Sequence, residues 1–113
     1  MMGDSKIVGQ LTWPLAVLGV GLGLAWAPAG VPVALEWHRG ALQDGQWWRL
    51  WTGHAVHFSA THAVSDLVPL ALLVAWAQAQ WGGRKLLLAL CLSAAVVSLG
   101  LWWMVPDMQQ YRG

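Results

Sequence analysis

Charge is what this sequence has least of. Only 10% of its 113 residues are Asp, Glu, Lys or Arg, against roughly a quarter in an ordinary soluble domain, so it lacks the means to cover a water-facing surface. Cysteine is nearly absent too. With Cys91 as its single thiol, no internal disulfide can form and nothing about compartment follows from it. In the middle of an apolar run, Cys91 reads as a small packing residue. A formal net charge of +1, carried by scattered basic residues, excludes a nucleic-acid footprint, which needs a basic stripe or patch.

What fills the space is apolar. Hydrophobic residues make up 58% of the chain and tryptophan alone accounts for 10 positions, a composition that places the chain in the membrane with lipid as its first partner. Three gaps between charges define three passes. No charge occurs from Ile7 to Leu35, Asp66 is the only one from Phe58 to Gly83, and Leu86 to Pro106 has none. The spacing predicts transmembrane helices over about 11–27, 60–81 and 86–105, each near the roughly 20 residues a bilayer core requires. Residues 1–113 then form one all-α, multi-pass membrane domain.

The indoles fit that layout. Trp13 and Trp26 bracket the first span, Trp76 and Trp81 lie late in the second, and Trp102 and Trp103 close the third, the headgroup level where such rings settle. Trp37, Trp47, Trp48 and Trp51 fall instead in the first connection, residues 31–57. There, aromatic and aliphatic residues alternate with Glu36, Arg39, Asp44 and Arg49 around Gly40 and Gly45. Such a segment is expected to lie in the interface, partly helical, apolar side down. Gly19 and Gly23 on the first span, with Ala71, Ala75 and Ala79 on the second, predict small faces through which the helices approach.

Orientation rests on the basic residues. Lys6, Arg84 and Lys85 on one side balance Arg39, Arg49 and Arg112 on the other, but Arg84 and Lys85 sit in a very short turn, which favours that turn and the amino terminus being cytoplasmic. Ala25-Trp26-Ala27 resembles a signal-peptidase site, yet Pro28 directly after it and the length of the span argue for retention.

Chemistry concentrates at the mouth of the second span, GHAVHFSATHAVSD from Gly53 to Asp66. Ser59 is placed to cap that helix, and His62 and Asp66, four apart, stack on one face where a carboxylate can orient or charge an imidazole. Pro69 cannot donate its backbone bond and leaves the Ser65 carbonyl free, loosening the mouth. Ionisable groups at such a depth are more often functional than those at a surface. His54 reads as a plain interfacial residue. Two uses of the cluster stay open: ligation of a metal or haem through His54, His57 and His62, or stabilisation of a tetrahedral oxyanion.

The run WWRLWTGHAVHFSATHAVSD resembles the first periplasmic loop and second-helix start of rhomboid intramembrane serine proteases, most closely the short bacterial rhombosortases. Shared elements are Trp48-Arg49, Thr52, and the His57, His62, position-66 spacing. The resemblance implies an inner-membrane serine endopeptidase without a cofactor or metal. It implies His62 and position 66 on the oxyanion side, and His57, Trp48 and Arg49 at the cavity and its gate. The implied substrate is the small-residue-rich carboxyl-terminal membrane anchor of an exported protein. Asp66 departs from the family's asparagine. An ionised carboxylate repels an oxyanion, so Asp66 is protonated by its surroundings, or orients His62, or marks a changed site.

The family's nucleophile follows the third helix in a Tyr-x-Gly-x-Ser-Gly segment, and a later helix supplies the base. This chain ends Tyr111-Arg112-Gly113, and Ser5, Ser59, Ser65, Ser93 and Ser98 lie in no such setting. The expectation is the amino-terminal half of a rhomboid-like bundle, inactive alone. The rival is a small non-catalytic three-helix protein that binds a metal, a haem or a partner transmembrane helix through His54, His57, His62 and Asp66.

Overall fold

The computed structural model describes the backbone of residues 2–113 and the side chains from Lys6 onward. Three long helices dominate: α1 (Met2–Ala25), α5 (Ala60–Trp81) and α6 (Gly83–Met104). All three are long and apolar enough to cross a membrane. Between α1 and α5 lie three short helices, α2 (Gly30–Leu35), α3 (Arg39–Gln43) and α4 (Arg49–Thr52), and a strand, β1 (Trp37–His38). A second strand, β2 (Gln110–Tyr111), follows α6.

The second span runs as its sequence predicts. Ser59 caps α5, its side chain accepting the His62 backbone N–H at 3.1 Å. The helix ends where Gly82 takes φ +79°, a conformation only glycine adopts without strain. The other two spans differ at their ends. α1 begins at Met2 rather than near residue 11 and stops at Ala25, because residues ahead of Pro28 are pushed out of helical geometry. α6 starts at Gly83, continuing almost directly from α5 through the glycine turn.

α1 packs closely along α5. The predicted small-residue face holds only in part: Ala71 is buried, but no atom comes near a side chain added at Gly19 or Gly23, and Ala79 is exposed. The buried face comprises Gly21, where a Cβ would meet the Leu67 side chain, and Ala63, Leu67, Ala71, Val74 and Ala77 of α5. Gln78 secures the pair. Its amide donates to the Gly9 carbonyl at 2.6 Å and accepts from the Trp13 N–H at 3.4 Å, inserting a side chain into the i→i−4 ladder of α1. α6 meets α5 at the Gly82 end, where Val74, Ala77 and Leu86 form a core flanked by Trp13, Val17 and Leu90.

The first connection, expected to be a partly helical interfacial segment, holds three short helices and folds into a cap with its own interior. Trp37, read from sequence as an interfacial indole, is fully buried, with Leu42 and Leu50 beside it and Leu101, Trp102, Met108 and Tyr111 packed around them. β1 pairs antiparallel with β2, Trp37 opposite Tyr111 and His38 opposite Gln110. The cap and the carboxyl-terminal strand thus lie at one end, and the α5–α6 turn at the other.

Candidate functional site

Two arginines hold the cap by the same device. A helix leaves its last carbonyls unpaired and a cation there complements the macrodipole. Arg49 is buried and donates from Nη1 to the Val33 and Glu36 carbonyls, each at 2.8 Å, and from Nε to Gln46 Oε1 at 2.7 Å. Thr52 Oγ1 donates to the Leu35 carbonyl and Trp48 Nε1 to that of Ala34. The Trp48-Arg49-x-x-Thr52 run therefore closes the carboxyl end of α2 carbonyl by carbonyl, and the two expected gate residues sit in that clasp. Trp48 itself remains half exposed.

Arg39 does the same for α6. Its guanidinium donates to the carbonyls of Leu101, Trp102, Val105 and Met108 and lies 4.5 Å from the Trp102 ring centroid and 5.2 Å from that of Trp37. Such stacking adds a cation–π contribution.

At the α5 mouth the structure brings together three of the expected residues. His62 Nε2 stands 2.8 Å from Asp66 Oδ2, one helical turn on, both side chains about half exposed. His57 enters from the cap, buried, with Nε2 3.7 Å from the same carboxylate oxygen and its ring edge-on to His62 at 5.2 Å. Burial, and then the neighbouring His62, lower the pKa of His57, while Asp66 opposes them. Its Nδ1 is buried without a hydrogen-bond partner.

The bond to Asp66 constrains what His62 can do. With Asp66 ionised, it holds the His62 proton on Nε2, so a neutral ring presents Nδ1 as an acceptor. Donation to an oxyanion from Nδ1 then needs the doubly protonated ring.

His54 does not join this cluster. Its Nε2 lies 3.0 Å from the Ala94 carbonyl and 2.9 Å from Ser98 Oγ, both on α6. A carbonyl only accepts, so Nε2 carries the proton. Ser98 is fully buried and its hydroxyl donates onward to the Leu50 carbonyl. This serine–histidine pair has the wrong proton order for nucleophilic catalysis, where the serine must give its proton to the imidazole. It is a tether. Burial lowers the pKa of His54 against the opposing Ala94 and Leu50 carbonyls.

Sequence reasoning did not find the carboxyl-terminal contribution. Tyr111 packs edge-on against His54 at 5.6 Å, and burial, then the Asp66 charge, push its phenol up. Arg112 pairs with the buried Glu36 at 2.7 Å and covers the Phe58 ring at 4.8 Å. The Gly113 N–H donates to the Gly53 carbonyl. No local spacing signals contacts between residues so far apart. Among the described residues no group of three or more His, Cys, Asp or Glu is placed to hold a metal ion.

No protein-family model, no curated protein and no solved structure matches this chain.

Proposed function

We propose that this chain is the amino-terminal half of a rhombosortase-like intramembrane serine endopeptidase of a bacterial inner membrane, its amino terminus cytoplasmic. It carries the oxyanion side of the site and the cap, while the nucleophile and base come from other segments. Its substrate is the carboxyl-terminal membrane anchor of an exported protein. Membrane residence is supported by the outward faces of the long helices: only 11% of the apolar window of α6 is buried within the fold, an exposure that lipid and not water accommodates.

The observation that carries the reading is the His62–Asp66 pair, 2.8 Å apart at the α5 mouth, with His57 buried behind it and the Tyr111–Gly113 tail docked alongside. In acyl transfer the largest electrostatic contribution comes from preorganised donors aimed at the developing oxyanion. His62, oriented by Asp66, is such a donor when doubly protonated. The Gly113 N–H donates to the Gly53 carbonyl, which fixes the segment after β2 beside the cap.

The experiment is to express the reading frame through and beyond Gly113 in lipid. It is treated with a serine-directed fluorophosphonate and assayed on a fusion protein ending in a Gly-Gly-type membrane anchor. Labelling of a serine downstream of Gly113 and cleavage of the fusion are expected. His62→Ala should lower turnover about 100- to 1000-fold, the typical cost of losing one oxyanion donor, and His54→Ala far less per folded molecule. Absence of labelling, or equal losses from the two substitutions, overturns the assignment.

A further inference from the structure

The hydrogen bonds divide the molecule unevenly. Every strong link from the cap runs to α6 or to the strand after it. Arg39 binds four carbonyls at and beyond the end of α6. Trp51 Nε1 donates to the Cys91 carbonyl, His54 to Ala94 and Ser98, and Ser98 to Leu50. β1 pairs with β2, and Arg112 with Glu36. On the other side, α1 and α5 share a long packed face and the Gln78 bridge.

Few contacts join the two groups besides the chain itself: α1 runs into α2 through 26–29 and touches it there. α6 packs on α5 mainly beside Gly82. At the opposite end the only polar side-chain contact among the described residues from cap to α5 is His57 to Asp66, at 3.7 Å, longer than a hydrogen bond. The backbone crosses there twice, at 26–29 and from Gly53 to Ser59, both with almost no regular structure, and Gly82 holds a positive φ at the far end.

We propose that the molecule is two rigid bodies, α1 with α5 and α6 with the cap and β2, which pivot about Gly82 and part along the seam containing His57, His62 and Asp66. Interfaces of packed helices move as units, and a few element-terminal residues absorb the change. Opening draws the α5 mouth away from the cap and breaks the His57–Asp66 approach while His62–Asp66, internal to α5, persists. Closing stacks the two imidazoles edge to edge. The purpose rests on the proposed protease reading: parting admits a membrane-anchor segment to the oxyanion side from the bilayer.

Double electron–electron resonance on the full chain in lipid nanodiscs tests it, with Cys91→Ser as background and nitroxides at introduced cysteines. Val20 with Leu72 reports within α1–α5, Gln43 with Met104 within cap–α6, and Thr61 with Gln109 across the seam. All six positions are exposed. The two internal pairs are expected to give one narrow peak each and the seam pair a second peak at longer distance. A single narrow peak for all three overturns the pivot.

If labelled variants fail to fold, hydrogen exchange on the unsubstituted chain decides. Amides of 53–59 and of 82–83 exchanging well ahead of both bodies support the pivot, and uniform protection across them overturns it. Neither readout depends on catalysis. A two-peaked seam with no fluorophosphonate labelling removes the protease reading alone, and a narrow seam with labelling removes the pivot alone.

Discussion

His54 Nε2 and Ser98 Oγ lie 2.9 Å apart, the distance of a catalytic dyad, yet the pair is a structural tether because Ser98 spends its proton on the Leu50 carbonyl. The chain through Gly113 should therefore remain unmodified by a fluorophosphonate at Ser98, checked by intact mass. Ser98→Ala should take the donor from the Leu50 carbonyl while His54 Nε2 keeps Ala94, and cost about 1–3 kcal/mol, read by thermal unfolding in micelles.

Arg49 is the clasp of the cap. Arg49→Ala removes the donor from the buried Glu36 carbonyl and from the partly buried Val33 carbonyl and is expected to destabilise by about 1–3 kcal/mol. Arg49→Lys should rescue only part of this, since a point ammonium cannot reproduce the planar fork that reaches two carbonyls and Gln46 together. Tryptophan fluorescence of the unfolding transition measures both.

The Glu36–Arg112 pair should respond asymmetrically. Glu36 is 4% exposed, so Arg112→Ala strands a buried carboxylate, a loss in the range of about 3–5 kcal/mol for a broken buried pair. Glu36→Gln leaves Arg112 over Phe58 with more access to water and should cost distinctly less. Equal losses in denaturant titrations would show that the pair is not buried as described.

Stability should fall on acidification. His54 and His57 are both held below the ordinary imidazole value by burial, so the unfolded chain binds their protons first. Their contribution is complete above the unfolded value of about 6.5 and is lost as pH drops from there through the lower folded values. His54→Gln and His57→Gln should each flatten the profile between pH 7 and 5, measured as unfolding midpoint against pH.

Gln78→Leu tests the α1–α5 bridge. Replacing an amide that bonds both Gly9 and Trp13 should weaken the helix pair by about 0.6 kcal/mol and at most about 1.7, the measured span for hydrogen bonds between membrane helices. Steric trapping in bicelles gives the value.

The sequence by itself determined what depends on neighbours within a turn or on length. Three runs with at most one charge each specify three long helices, Ser59 specifies where α5 begins, and the spacing of His62 and Asp66 places their side chains together. These follow from a fixed rise and a 3.6-residue period, with no reference to the rest of the chain. Only the tertiary structure decided the remainder. Trp37 is buried because Leu101, Trp102 and Tyr111 fold over it. Arg39 and Arg49 become helix caps because carbonyls distant in sequence are brought to them. Glu36 finds a counter-charge 76 residues away, and His54 becomes a tether because Ser98 is delivered by another helix. Each of these depends on closing a long loop before any contact forms, so no local pattern of residues records it.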